Sequence, residues 1–373
     1  MRRTFLFLAR SLGVGGAERQ LVVLAKGLQA RGHRVVVACF YGGGTLEGDL
    51  AGSGVTVVDL KKGGRWNAFG FYRRLISLVR REKPAVIHGY LPVPNIVSVL
   101  VRPLARGATI AWGVRASDMD LSQYEAIDRV AFRAATALSR FADVIVANSW
   151  SGADYHVHEG YPRDRMHVIP NGIDTDRFRP EPSARATIRR EWDIAPDDEL
   201  VGLVARLDPM KGHPVFLRAL AILREDHPRI RAVCVGDGTA SYRGELHTLS
   251  AALGVSDILR WAGSRQDTRA IYNALDLLCS SSVFGEGFSN SVGEAMACGT
   301  PCVVTDVGDS ARLVGSLGRV VPPNDPVALA AAMSDGLRMR SAAHSLECRR
   351  LVEAEYGVER LIERSEALLA SAP

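Results

Sequence analysis

Short runs of Val, Ile, Leu and Phe return regularly along this chain, and each is followed by a segment whose apolar residues recur at helical spacing. That alternation constrains the fold more than any other feature, because strand, helix, strand units laid down in series give parallel sheets with helices on both faces. The first half carries such runs at 4–9, 34–39, 55–59, 85–88, 109–112 and 143–147. The second half repeats the pattern at 200–205, 231–235, 258–261, 276–280, 301–305 and 319–321. The fold class predicted is α/β, as two Rossmann-like, doubly wound parallel-sheet domains.

A chain of 373 residues exceeds the roughly 250 to 300 at which one hydrophobic core stops growing, so two cores are expected. The Pro-rich polar stretch from Asp174 to Pro182 separates the halves, giving domains at 1–175 and 176–373. A final helix near 357–371 has no strand after it; it packs on its own domain or crosses back to the first. No apolar run reaches the roughly 18 residues of a membrane span. The basic residues and brief apolar run at the start read as a first buried strand. Six scattered cysteines (39, 234, 279, 298, 302 and 348) lack metal spacing and read as packing residues of a reduced, cytoplasmic protein.

Charge is unevenly spread. Residues 1–175 hold 23 Lys and Arg against 14 Asp and Glu, a surplus of +9, and residues 176–373 hold 23 against 27, or −4, which together give the +5 of the chain. A basic first half implies an anionic partner, with a membrane surface, a phosphorylated acceptor and nucleic acid as candidates. The segment 71–83 reads as a helix with Phe71, Leu75, Leu78 and Val79 on one face and Arg73, Arg74, Arg80 and Arg81 opposite. That face is either solvated or, with Lys61, Lys62, Arg65 and Trp66 upstream, rests on anionic headgroups at the inner membrane face. No nucleic-acid-binding motif accompanies it, so a nucleic-acid partner is not expected.

Open parallel sheets bind ligands at the C-terminal ends of their strands, in a cleft the two domains are expected to share, and the informative motifs fall at such ends. The stretch from Phe284 to Ala297 sets Glu286 and Glu294 across a Gly-rich turn and a helix start. The helix's first N–H groups and dipole suit a phosphate, and the flanking carboxylates suit sugar hydroxyls. Taken alone, the same residues would serve a capped helix with two solvated glutamates. Arg206 and Lys211 follow the first strand of the second half and could hold a diphosphate; alone, they would read as two solvated charges. The loop from Ser11 to Glu18 brings Gly13, Gly15 and Gly16 after the first strand, where a backbone can approach a phosphate or sugar. Asn171-Gly172 supplies turn chemistry at the end of the first half.

Together these segments resemble the retaining glycosyltransferases of the GT-B fold, family 4. The likeness spans essentially the whole chain: Gly-Gly-Ala-Glu at 15–18, Ile-Pro-Asn-Gly-Ile-Asp at 169–174, Arg-Leu-Asp-Pro-Met-Lys-Gly at 206–212, Val-Gly-Asp-Gly at 235–238, and the carboxylate pair at 286 and 294. The resemblance implies a nucleotide-sugar donor, UDP before GDP, bound by the second domain. It implies Arg206 and Lys211 on the diphosphate, Glu294 on the ribose, and Glu286 on the donor sugar. Backbone amides of Phe288, Ser289 and Asn290 would face the distal phosphate. Gly236 and Arg265 would lie near the base or diphosphate, with Gly15 and Gly16 closing from the first domain. It further implies retention of anomeric configuration, no essential metal and no cofactor, with the departing phosphate taking the acceptor's proton. The acceptor would be a glycan or a lipid-linked sugar of cell-surface polysaccharide or glycoconjugate synthesis.

One segment departs from the family. Where many relatives carry a histidine after the strand at 109–112, this chain has Arg115, which is expected to take that role, with Asp118 on the acceptor. His88 matches a frequent family histidine and reads either as an active-site group or as a buried hydrogen-bonded imidazole. Asp118 and Asp120 form a D-x-D, the metal signature of the other glycosyltransferase fold, discounted because cations and a helix terminus already suit the diphosphate. The rival readings are a nucleotide-sugar 2-epimerase of the same architecture and a catalytically silent nucleotide-sugar-binding subunit.

Overall fold

Strands that read as nearly continuous apolar runs belong in sheets covered on both faces, and that is where the chain puts them. The computed structural model describes residues 2–13, 15–63, 68–115 and 126–371. The first sheet holds β1 (Thr4–Ala9), β2 (Arg34–Cys39), β3 (Thr56–Asp59), β4 (Val86–Tyr90), β5 (Thr109–Val114), β6 (Val144–Ala147) and β7 (Met166–Val168) in the order β3-β2-β1-β4-β5-β6-β7. The second holds β8 (Glu199–Val204), β9 (Ile230–Val235), β10 (Leu259–Gly263), β11 (Leu277–Ser280), β12 (Cys302–Thr305) and β13 (Arg319–Val321) in the order β10-β9-β8-β11-β12-β13. Every pairing is parallel. In both sheets the winding reverses once, between β1 and β4 and between β8 and β11, and each reversal opens a crevice at the C-terminal strand ends.

Each sheet is sandwiched between two apolar layers. In the first, Phe71, Leu75, Val97 and Trp112 pack on one face, and Phe5, Phe7, Leu21, Leu24 and Leu361 pack on the other. All six cysteines are buried and unbridged. Among the described residues no helix is long and apolar enough to cross a membrane.

One boundary differs from the sequence expectation, and one open alternative is decided. The compact units divide at Gly172/Ile173, not 175/176, and again at Gly357/Val358. The terminal helix Val358–Ser371 therefore belongs to the first unit. Its apolar residues Leu361, Ile362 and Leu369 are buried against the helix Gly16–Ala30, and Gly27 is a glycine because a Cβ there would lie 2.1 Å from Ile362 Cδ1. Charge reinforces the contact: Arg31 pairs with Glu359 and, at 2.7 Å, with Glu366, and His33 Nε2 lies 2.8 Å from Glu366.

The strand β7 was not expected. It has three residues, Met-His-Val, with His167 at its centre exposed and Pro170 following closely, so the sequence there shows no apolar run. The basic face of the helix Ala68–Glu82 is also smaller than expected. Arg74 is committed to the backbone, donating to the carbonyls of Leu60 (2.6 Å) and Lys61 (2.7 Å). Arg73, Arg80 and Arg81 are exposed. Arg65, Trp66, Asp118 and Asp120 lie outside the described residues.

Candidate active site

At the crevice between β8 and β11 the loops after the two strands bring Lys211 and Glu286 together. After β8 the chain turns through Pro209–Lys211, with the Asp208 carboxylate accepting from the Met210 N–H at 3.1 Å. Gly212 ends the turn at φ 65°, and a Cβ there would sit 1.9 Å from the Ser281 carbonyl oxygen, so the loops after β8 and β11 touch only because this residue is glycine. Ser281 secures the contact from the other side, its hydroxyl donating to the carbonyls of Lys211 (3.0 Å) and Gly212 (3.1 Å).

This junction aims Lys211 at Glu286. The ammonium donates to Glu286 Oε2 at 2.5 Å, and the Ser282 hydroxyl donates to the same oxygen at 2.8 Å. Glu286 is only 7% exposed, so its charge is held by direct partners rather than by water. Thr305 fixes Ser282 in turn, donating to its carbonyl at 2.5 Å. His213, fully buried next to Lys211, is kept neutral, its pKa lowered to about 4 by burial and by the Lys211 charge.

Three residues past Glu286, Ser289 caps the helix Asn290–Ala297 without a side-chain capping bond to it. The first N–H groups of a helix have no intrahelical acceptor, so this end presents donors and positive dipole. One turn in, Glu294 Oε2 accepts from the Tyr272 hydroxyl at 2.9 Å. Tyr272 is fully buried, and the carboxylate next to it pushes its hydroxyl further towards the protonated, donating form than burial alone does. Gly236, at φ 146°, ends β9, and a Cβ there would lie 1.9 Å from the Ala205 carbonyl oxygen, which keeps the loop after β9 tight against that after β8.

Two expected phosphate-side residues stand differently. Arg206 is exposed and pairs with Asp208 at 2.8 Å. Arg265 is clamped by Glu191 at 2.6 Å and Asp267 at 2.7 Å, and these carboxylates raise its pKa further. Phe288 is buried, its ring 5.5 Å from that of Tyr356 and tilted to it at 55°.

In the first unit, Gly15 caps the helix Gly16–Ala30, which follows β1 after the loop that carries these glycines. His88 lies within β4, packed between the rings of Phe7 (5.4 Å) and Tyr90 (4.9 Å). It is an uncharged imidazole, its pKa pushed down to about 3 by burial and then by Arg115. Among the described residues neither of its ring nitrogens has a hydrogen-bond partner. Arg115 stacks over the Tyr90 ring at 4.8 Å and donates to Tyr90 Oη (2.8 Å) and Asn171 Oδ1 (3.2 Å).

Ser281, Ser282, Thr305 and Tyr272, which orient Lys211 and the two glutamates, went unread in the sequence. Serine and threonine after a strand are common, and nothing in local spacing says which carbonyl or carboxylate they will meet.

Comparison with known proteins decides the family. Residues 14–177 match the family model described as Glycosyltransferase Family 4, and residues 198–338 match that described as Glycosyl transferases group 1. The chain belongs to the group 1 glycosyltransferases. Among curated relatives, the D-inositol 3-phosphate glycosyltransferase of Acidothermus cellulolyticus is 35% identical over 250 residues, which is 61% of this chain and 55% of the relative. That of Nocardia farcinica is 35% identical over 53% of this chain and 47% of its own length. The chain thus spans about half the length of the curated relatives it matches. In fold it is similar to Anabaena Alr3699/HepE, solved in complex with UDP, at TM-score 0.86 with 23% identity over all of both chains. It is also similar to WaaG, a glycosyltransferase involved in lipopolysaccharide biosynthesis, at TM-score 0.73 and 18% identity over 98% of this chain and all of WaaG. These likenesses give the GT-B architecture of family members, two parallel-sheet α/β domains.

Proposed function

We propose that the protein is a retaining glycosyltransferase that moves a sugar from a nucleoside diphosphate, UDP before GDP, to a glycan or lipid-linked acceptor of cell-surface glycoconjugate synthesis. The observation that carries this reading is the Lys211–Glu286 pair at the winding reversal of the second sheet, three residues ahead of a helix N-terminus. Lys211, Arg206 and the helix start hold the diphosphate, Glu294 binds the ribose, and Glu286 meets the sugar. The bond from the anomeric carbon to the phosphate oxygen breaks, the acceptor oxygen bonds to the same face, and its proton passes to the departing phosphate. UDP is supported by the Anabaena neighbour, solved with UDP and with UDP-glucose. Thermal-shift screening of UDP-, GDP- and ADP-sugars tests the reading: a true donor at 100 times its Kd should stabilise by about 2.7 kcal/mol, and no shift with any of them would refute it.

Tyr272→Phe removes one hydroxyl from a buried ring and with it the hydrogen bond to Glu294 Oε2. The donor KM is expected to rise by about 3- to 10-fold, as for a net hydrogen bond of roughly 1 kcal/mol, with kcat little changed. Steady-state kinetics at saturating acceptor check this.

Metal independence is part of the proposal. Activity should survive EDTA, since Lys211, Arg206 and the helix N-terminus compensate the leaving diphosphate. Complete loss restored by Mn²⁺ would instead make Asp118 and Asp120 metal ligands.

The first unit is further proposed to rest on the inner membrane face through the helix Ala68–Glu82, where Phe69 is 84% exposed beside Arg73 and Arg80. Each arginine near an anionic surface is worth up to about 1 kcal/mol. Co-sedimentation with anionic vesicles should strengthen as salt falls and be lost in Phe69→Ser/Arg73→Glu/Arg80→Glu. Equal partitioning onto neutral vesicles would contradict it.

A further inference from the structure

The helix Thr268–Ala274 has seven residues, too few to hold its place by its own hydrogen bonds, yet it carries Tyr272, whose hydroxyl meets Glu294. Its position is set from outside, to a large extent by the helix Pro182–Glu191 and the stretch just before that helix. At the start of Thr268–Ala274, the Arg265 guanidinium donates to both oxygens of Asp267, the residue before the helix, at 2.8 and 2.7 Å, and to both oxygens of Glu191 at 2.6 and 3.2 Å. The last carbonyls of a helix lack intrahelical donors, and here each one from 271 to 275 is taken. The Leu275 N–H donates to Ile271, and Thr300 Oγ1 donates to Tyr272 at 2.8 Å. Arg185 Nη1 reaches the carbonyls of Asn273 (3.2 Å), Ala274 (2.9 Å) and Leu275 (3.1 Å), while its Nη2 anchors on Asp276 at 2.6 Å.

Asn273 adds a latch beside the tyrosine. Its Oδ1 accepts from the Glu181 N–H at 2.6 Å, and its Nδ2 donates to the Arg179 carbonyl at 3.0 Å. Pro180 and Pro182 have no N–H, so Asn273 takes the one amide between two prolines. Hydrogen bonds weaken steeply with misalignment, so the bond from Tyr272 to Glu294 depends on how firmly this short helix is held.

We infer that Asn273 and Arg185 are positioning residues for the donor: by fixing the end of the helix Thr268–Ala274 they hold the Tyr272 hydroxyl on Glu294, and so set how tightly the ribose diol of a nucleoside diphosphate is bound. The inference rests on the reading of Glu294 as the ribose ligand.

The test is a calorimetric titration of UDP and of 2′,3′-dideoxy-UDP into the wild type, Asn273→Ala, Tyr272→Phe and the double variant. Asn273→Ala should weaken UDP by about 3- to 10-fold, no more than Tyr272→Phe does, and should bind dideoxy-UDP as the wild type does, because that ligand has no diol for Glu294 to hold. The double variant should bind UDP like Tyr272→Phe alone, since both changes act through one hydrogen bond. Arg185→Met should follow the same pattern with a larger drop in melting temperature; if it fails to fold, Asn273→Ala, with Arg185 intact, still decides. Unchanged UDP affinity in Asn273→Ala, equal weakening of both ligands, or losses that multiply in the double variant would overturn the inference. If UDP did not bind the wild type, or bound it no better than dideoxy-UDP, the ribose reading would fail instead. The ¹³Cζ resonance of Tyr272, assigned by its loss in Tyr272→Phe, then decides the positioning: it should shift in Asn273→Ala as the hydroxyl leaves Glu294, and an unchanged resonance would overturn it.

Discussion

Lys211→Ala is expected to lower kcat/KM for the nucleotide-sugar by about 10- to 150-fold, the range for a lost hydrogen bond to a charged group. The side chain is only 21% exposed and already aligned on Glu286, so little ordering is needed when it meets a phosphate. Arg206→Ala should fall at the lower end, near 10-fold, because its side chain is 67% exposed and must first leave Asp208. Fold loss is not expected from Arg206→Ala. In Lys211→Ala the buried Glu286 keeps only the Ser282 hydroxyl of these two donors, so a drop in melting temperature should accompany the kinetic loss. Unfolding midpoints measured beside the kinetics separate the two effects, and wild-type kinetics in both variants would remove the diphosphate assignment.

The two glutamates should fail in opposite ways. Glu294→Gln is expected to raise the donor KM by about 10- to 150-fold with little change in kcat, since a ribose contact is made equally in ground and transition states. Glu286→Gln should instead lower kcat by a similar factor, because the proposal puts its carboxylate, clamped between Lys211 and Ser282, at the reacting sugar. If Glu286→Gln altered only KM, its placement at the reacting sugar would be wrong.

Much of this was legible before any coordinates. Twelve of the strands fall where apolar runs predicted them, and most of these are buried on both faces, which leaves a nearly continuous apolar composition. Lys211 and Glu286 were both singled out in the sequence, but their direct contact follows from the strand order that sets the ends of β8 and β11 side by side. What the sequence hid were contacts between distant residues. Ser282 and Thr305 look like any polar residues after a strand until Glu286 and the Ser282 carbonyl are seen beside them. Arg74 and Arg265 carry the same charge as Arg73 and Lys211, yet backbone carbonyls hold the first and two carboxylates the second. The terminal helix was equally compatible with either domain; its placement turned on Gly27 making room for Ile362 and on Arg31 and His33 facing its glutamates.

The most direct measurement is a calorimetric titration of UDP into the wild-type protein, Lys211→Ala and Glu294→Gln. The account predicts one site in the wild type, weakened at least about 10-fold in each variant, as befits lost diphosphate and ribose contacts. Wild-type affinity in both variants, or UDP binding to none of the three proteins while a glycosyl product still forms from a UDP-sugar, would contradict the claim that this crevice holds the donor.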